Sequence, residues 1–279
     1  MRPSSNDQIE NESSRLVSAI DAAQGLIVVL TGAGISLASG IPTFRGSDPG
    51  AIWAHDVTER ATLRYFTSDP VGAWQWYRER FRRVLTARPN EAHRALAALE
   101  RWHVRQRRDF LLVTQNIDTL HERAGSTRVV KVHGSADRCR CADPACRLGA
   151  VESIPLGDVD FAEFDRDPRI AAIPSCPVCG SRVRPHVLWF DELYVSHADY
   201  QWHVVDAAAA RIRLLICVGT SLAVGVTSFL QSAAADARAP AFLVDPGERP
   251  QDAHPSTVHV RARAEELLPV AYRILRKIV

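Results

Sequence analysis

Three polar side chains follow a short apolar run in the stretch TQNIDTLHERAG, Thr114–Gly125. Phe110–Val113 has the composition of a buried parallel strand, and Gln115, Asn116 and Asp118 come directly after it. Two amides and a carboxylate at the end of a buried strand suit a site that holds an amide-bearing ligand. A second apolar run, Val129–Val132, ends in His133 and Gly134. An imidazole at a strand end can serve as a general base near neutral pH. A third run, Leu26–Leu30, enters TGAGISLASGIPTFRG, Thr31–Gly46. Gly32 and Gly34 let backbone approach a phosphate, and a helix N-terminus beyond them favours anions. Arg45, just past Pro42-Thr43-Phe44, is placed to pair with a diphosphate. The dinucleotide pattern G-x-G-x-x-G is not met, since Leu37 holds the third glycine position. By itself the G-x-G fits a plain strand–helix turn equally well. A fourth run, ICVGTSLAVG, offers Gly219, Thr220 and Ser221 to a ribose or phosphate. Asn116, Asp118 and His133 on two strand ends make a cleft suited to glycosidic chemistry.

Cysteine spacing carries a separate signal. CRCADPAC supplies Cys139, Cys141 and Cys146, and CPVCG supplies Cys176 and Cys179. A C-x4-C and a C-x2-C knuckle fit a closed tetrahedral zinc site. Such a site is structural, because four thiolates leave no open position for chemistry. One cysteine is surplus. Cys141 with Cys146 is favoured over Cys139, whose spacer to Cys146 is six residues. Cys217, inside an apolar run, reads as core.

The elements that must position these groups follow from pattern. With 279 residues, 46% hydrophobic and 24% charged, the chain suits one large domain or a domain with an insertion. A net charge of +2 is too small to argue for nucleic acid. No run approaches the roughly 20 apolar residues of a membrane span. The polar start has no apolar core of a signal peptide, so a cytoplasmic protein with reduced thiols is expected. Met1–Asn11 reads as a loose tail, with Ser13 and Ser14 as N-caps of a helix that buries Leu16, Val17 and Ile20. Leu214–Val218 and Ala241–Val244 complete a set of short apolar runs. Helical stretches at Asn90–Arg101, Val224–Arg238 and Ala264–Ile278 alternate with them. The alternation predicts an α/β, Rossmann-like doubly wound parallel sheet built from about 12–50, 90–134 and 186–279. Residues 51–89, helical, and 135–185, cysteine-bearing, break the alternation and predict a small inserted lobe. RWHVRQRR, Arg101–Arg108, reads as a solvated helix–strand connection.

Taken together, GAGISLASGIPTFRG, TQNIDTLHERAG, HGS, the two cysteine pairs, RPHVLWFDE and VGTSL resemble the sirtuins, the NAD-dependent protein lysine deacylases. The similarity runs from about Leu26 to Pro269. It implies a zinc-and-helix lobe beside the sheet, with NAD in the cleft between. It places NAD against Gly32, Ala33, Gly34, Ser36, Thr43, Phe44, Arg45, Trp53, Gln115, Asn116, Ile117, Asp118, Gly219, Thr220, Ser221, Asp245 and Ala264. Asn116 and Asp118 match the nicotinamide pocket, and His133 matches the catalytic base. The implied reaction begins as the acyl-lysine oxygen attacks the ribose carbon and nicotinamide leaves. His133 then activates a ribose hydroxyl, and the acyl group ends on ADP-ribose. HVLWF resembles the segment that pairs with an extended acylated peptide, with Val187, Trp189 and Phe190 in contact.

The chain departs from the sirtuin pattern in three places. Asp191-Glu192 stand for the usual Gly-Glu, which sets a charge where the peptide would approach. Gly225-Val226 stand where a proline is usual. Asp245 replaces an Asn near the adenine ribose. An NAD glycohydrolase and a non-catalytic NAD or ADP-ribose sensor are the competing readings. In WQWYRERF, Tyr77 and Arg80 share a helical face and are similar to the Tyr-x-x-Arg pair of the branch that removes succinyl and malonyl groups. A carboxylate entering an apolar tunnel needs such a partner. Arginines at 78, 80, 82 and 83 equally describe an ordinary helix surface.

Overall fold

The computed structural model describes residues 6–43 and 57–278. Phe44, Arg45 and Trp53 of the NAD expectation lie outside them. Leu26–Thr31 (β1) is buried at all six positions, as a strand with protein on both faces must be. Phe110–Thr114 (β2) pairs with it in parallel, and Val129–Lys131 (β3) pairs with β2. The chain then leaves for Gly134–Cys141 (β4), Ile154–Pro155 (β5) and Val183–Val187 (β6), a separate antiparallel sheet in the order β5-β4-β6. It returns as Ile212–Val218 (β7) on the free side of β1, followed by Ala241–Val244 (β8) and Thr257–Val260 (β9). The parallel sheet runs β3-β2-β1-β7-β8-β9. Winding therefore reverses between β1 and β7, and such a switch point opens a crevice at the carboxyl ends of the strands.

Side chains alternate across β1. Ile27 and Val29 share a core with the helices Asn6–Ala22, Glu91–Arg105 and Ala264–Leu275. Val28 and Leu30 share the opposite core with Trp202–Ala209 and Gly225–Asp236. The two inserted stretches have one core in common. Trp74, Tyr77 and Phe81 of the helix Pro70–Thr86 pack with Cys139, Phe161, Phe164 and Val183. Trp74 Nε1 donates to the Val183 carbonyl at 2.9 Å, which ties that helix to β6.

Several expectations are corrected. The first helix begins at Asn6, inside the stretch read as tail, because Ile9, Ser13, Leu16, Val17 and Ile20 form one buried stripe. Ser13 is therefore no cap; its Oγ donates to the Leu267 carbonyl at 3.2 Å and joins the first helix to the last. Arg101–Arg105 continues the preceding helix, with Trp102 and His103 buried, so RWHVRQRR is only in part a connection. Strand β9 and the antiparallel sheet were not expected. Among the described residues, no helix is long and apolar enough to cross a membrane.

Glu192 ties the segment after β6 to the inserted sheet. Its carboxylate takes Arg140 at 2.8 Å and Arg184 at 2.6 Å, and Trp189 N–H at 3.1 Å. Both arginine side chains are 4% exposed, so the carboxylate is their counterion in place of water. Burial pushes the Glu192 carboxyl up, but Arg184 and Arg140 outweigh it and hold it below the ordinary range. This contribution is complete above the ordinary carboxylate pKa and is lost as pH falls below about 4.5. Glu192→Ala is expected to cost about 3–5 kcal/mol in urea unfolding at pH 7, because it leaves two buried charges unpaired. The deficit should shrink as the pH is lowered toward 3.

Candidate functional site

The loops leaving β1 and β7 touch at the switch point. Gly32 N–H donates to the Val218 carbonyl at 3.0 Å, and Gly34 N–H to the Gly219 carbonyl at 2.8 Å. A Cβ on Gly34 would lie 2.7 Å from Gly219 Cα, so only glycine permits this approach. Gly219 has φ +57°, and a Cβ there would meet Ile35 N at 2.4 Å. Ala33 opens a short helical turn, Ala33–Ser39, whose Ser36 is buried.

Strand β2 delivers the amides and the carboxylate beside that crossing. Asn116 Nδ2 donates to the Gly32 carbonyl at 3.0 Å and to Ser36 Oγ at 3.2 Å. A carbonyl can only accept, so the amide nitrogen must face Gly32. Ser36 Oγ in turn donates to Asp118 Oδ2 at 2.8 Å, and Leu120 N–H reaches Asp118 Oδ1 at 3.0 Å. Gln115 Nε2 donates to Thr220 Oγ1 at 3.1 Å and so spans to the β7 loop. Asn116 and Asp118 are 5% and 4% exposed, yet both line a pocket with Ala33, Ser36, Ile41 and Ile117. Beneath them lies a relay that the sequence did not announce. His121 Nε2 meets Thr31 Oγ1 at 3.0 Å, and Thr31 Oγ1 donates to Thr114 Oγ1 at 2.8 Å. Thr114 Oγ1 also accepts Asn116 N–H at 3.1 Å.

His133 follows β3, and its Nδ1 lies 2.9 Å from the Gln115 carbonyl. That carbonyl requires a proton on Nδ1, so Nε2 carries the lone pair. Burial lowers the imidazole pKa to about 4, against a smaller upward pull from the Gln115 carbonyl. Burial therefore favours the neutral ring, with its lone pair on Nε2. Gly134, at φ +84°, turns the chain immediately afterwards; a Cβ there would strike the His186 carbonyl at 2.1 Å. Leu188 N–H returns to the His133 carbonyl at 3.0 Å. His133 is thus fixed by backbone on both sides.

The remaining expected residues are not among those that line the pocket of Asn116 and Asp118. Thr43 is half-buried at the edge of the described stretch, and Ser221 is exposed. Asp245 follows β8, where its Oδ1 accepts Gly247 N–H at 2.8 Å and burial raises its pKa. Ala264 opens the last helix and is buried. Val187 and Trp189 are buried, whereas Phe190 is 62% exposed, near Leu193 and Val195 at 71% each. The N–H groups of Leu188, Trp189 and Phe190 all have acceptors within the chain. The Asp191 oxygens accept Leu63 N–H at 2.7 Å and Arg64 N–H at 3.1 Å. The first turn of a helix has such N–H groups to offer. Tyr77 is buried, and its hydroxyl accepts Trp189 Nε1–H at 2.8 Å. The Arg80 guanidinium lies 3.7 Å above the Trp76 ring centre.

The sulfurs of Cys141, Cys146, Cys176 and Cys179 lie within 4.8 Å of one another. Asp143 N–H and Val178 N–H each approach a sulfur, Cys141 and Cys176, at 3.4 Å. Such donors favour thiolates, and the all-sulfur set fits zinc. Cys139, two residues from Cys141, is outside the group and buried in the lobe's core, and Cys217 is buried in β7.

Comparison with known proteins places these features in company. The model of the Sir2 family matches residues 32–226. An "NAD-dependent protein deacylase 1" of Pseudomonas aeruginosa is 40% identical over 255 residues, covering 91% of this chain and 92% of that protein. An NAD-dependent protein deacylase of Methylococcus capsulatus is 37% identical over 271 residues, covering 96% and 99%. Among solved structures, a Sir2 homologue in complex with NAD is 33% identical, with a TM-score of 0.76, and covers 100% of this chain and 97% of its own. A Sir2 protein with a deacetylated peptide and 3'-O-acetyl ADP-ribose is 28% identical, with a TM-score of 0.76, and covers 94% and 97%.

Elemental analysis is expected to find one zinc per chain. Cys141→Ser should lose it and unfold the small lobe, because metal binding at such a site is folding energy. Cys139→Ser should keep it. Metal retained in Cys141→Ser and lost in Cys139→Ser would reverse the assignment.

Proposed function

The chain belongs to the Sir2 family, and on that premise we propose that it is an NAD-dependent deacylase of protein lysine side chains, with acidic short acyl groups among its substrates. The observation that carries the reading is His133 at the end of β3, whose Nδ1 contact with the Gln115 carbonyl leaves the lone pair on Nε2. NAD supplies the ribose that takes the acyl group and the nicotinamide that leaves. Gly32, Ala33, Gly34 and Ser36, with Gly219, Thr220 and Ser221, form the crossing that receives the phosphates and ribose. Thr43, Gln115, Ile117, Asp245 and Ala264 complete the NAD contacts.

Asn116 and Asp118 hold the nicotinamide carboxamide, an amide against an amide and a carboxylate. Ser36 fixes both, so neither must reorganise when the ligand arrives. His133 takes the proton of a ribose hydroxyl at Nε2, and its Nδ1–H stays on the Gln115 carbonyl throughout. The acylated protein approaches along Phe190, Leu193 and Val195, whose exposed apolar surface suits an extended chain. Cys141, Cys146, Cys176 and Cys179 hold the structural zinc of the lobe that carries this approach. The protein works in the cytoplasm on acylated proteins.

Acyl preference is assigned to the helix Pro70–Thr86. Tyr77 and Arg80 lie one turn apart on it, and the Trp76 face holds the guanidinium of Arg80 in place. A succinyl or malonyl carboxylate entering an apolar channel requires a fixed cation of this kind. Trp189, bonded to Tyr77, links this helix to the peptide segment.

Incubation with NAD and a panel of acyl-lysine peptides tests the assignment. Nicotinamide release should depend on peptide, and succinyl or malonyl peptides should react at least as well as acetyl. Arg80→Met should lose the acidic substrates and keep deacetylation. Release that ignores peptide would identify a glycohydrolase, and NAD binding without turnover a sensor. An acetyl preference unchanged in Arg80→Met would leave Tyr77 as core and Arg80 as part of an ordinary helix surface.

A further inference from the structure

Tyr194, in the segment after β6, presents its hydroxyl 3.5 Å from His133 Nε2. The same hydroxyl accepts Val226 N–H at 3.2 Å. Val226 is the second residue of the helix Gly225–Asp236, so its N–H has no acceptor within that helix. A proline at 226 would have no proton to give. The direction of the bonds follows. The Gln115 carbonyl demands Nδ1–H, so Nε2 can only accept. The phenol oxygen is already taken as an acceptor by Val226, and its single proton is left for Nε2. Donors and acceptors therefore run one way, from Val226 through Tyr194 and His133 to Gln115, and successive bonds of this kind strengthen each other.

The rings reinforce the same alignment. His133 and Tyr194 stack at 5.9 Å and 17°. Tyr194 stacks on Trp202 at 4.4 Å and 16°, and Trp202 meets Phe229 at 5.1 Å. Trp202 and Phe229 belong to the two helices behind β7, so the imidazole plane is referred to the main domain.

We propose that Tyr194 is a positioning residue for deacylation: its ring sets the plane of the His133 imidazole, and its anchored hydroxyl keeps Nε2 turned to the place the ribose hydroxyl takes. The proposal rests on His133 as the base. At 3.5 Å the phenol contact is at the long limit of a hydrogen bond, so an arriving hydroxyl displaces it at little cost.

Tyr194→Leu and Tyr194→Phe test this with NAD and an acyl-lysine peptide. In Tyr194→Leu, kcat should fall about tenfold or more while KM for NAD moves less than about twofold, the signature of a misplaced base rather than weaker binding. Tyr194→Phe keeps the stack but loses the phenol proton, so its kcat should lie between those of Tyr194→Leu and the wild type. Wild-type kcat in Tyr194→Leu, a loss confined to KM, or a Phe variant as impaired as Leu would each overturn the proposal. If Tyr194→Leu does not fold, nitrogen NMR of the His133 ring in Tyr194→Phe decides: Nε2 must shift on losing the phenol proton, and an unmoved resonance contradicts the contact. His133→Ala is assayed alongside. Deacylation surviving in it would remove the base assignment itself, whereas a dead His133→Ala beside an unimpaired Tyr194→Leu would remove only the role of Tyr194.

Discussion

The contact between the loops that leave β1 and β7 is the constraint on which the rest depends. Gly34 N–H on the Gly219 carbonyl, with no room for a Cβ at either glycine, brings the two halves of the sheet together where their winding reverses. Any larger residue would part the loops. The Asn116 amide would then lose Gly32, and Ser36 would be drawn away from Asp118. The crevice between the halves exists because the backbones meet this closely below it.

Above that contact the site is a set of buried polar groups whose partners are other site groups. Asn116, Ser36 and Asp118 bond in series, and Gln115 offers its side chain to Thr220 and its carbonyl to His133. A buried polar group left unmatched costs about 1–3 kcal/mol. Each member therefore enforces the orientation of the next, and the pocket lined by Ser36, Asn116 and Asp118 is organised by the chain itself. The same logic operates in the small lobe. Glu192 neutralises Arg140 and Arg184, and three of the four clustered cysteines, Cys141, Cys146 and Cys176, are buried in the lobe's apolar core.

Much of this was legible in the sequence. Strands β1, β2, β7 and β8 stand out because a parallel strand covered on both faces must be apolar throughout. Asn116, Asp118 and His133 stand out because polar residues directly after such strands can only lie at its carboxyl edge. Cys141 was preferred to Cys139 on spacing, and the sulfur positions agree. Other features stay hidden because their partners are distant along the chain or because their pattern is weak. Ser13 resembles a cap until Leu267 is brought beside it. The contact of Asp191 with a helix start is equally unannounced, since Leu63 and Arg64 lie 128 and 127 residues away. Strand β4, GSADRCRC, has too few apolar residues to announce itself. Tyr194 bears no local mark at all, since its partners lie 61 and 32 residues away.

The proposed reaction has two separable duties, holding nicotinamide at Asn116 and Asp118 and moving a proton at His133. Exchange of labelled nicotinamide into NAD, measured beside peptide deacylation in His133→Ala, addresses that separation directly. The predicted result is exchange that persists with acyl-lysine peptide while release of free lysine peptide nearly ceases. Deacylation at the wild-type rate in His133→Ala, or exchange and deacylation lost together while NAD still binds, would contradict it.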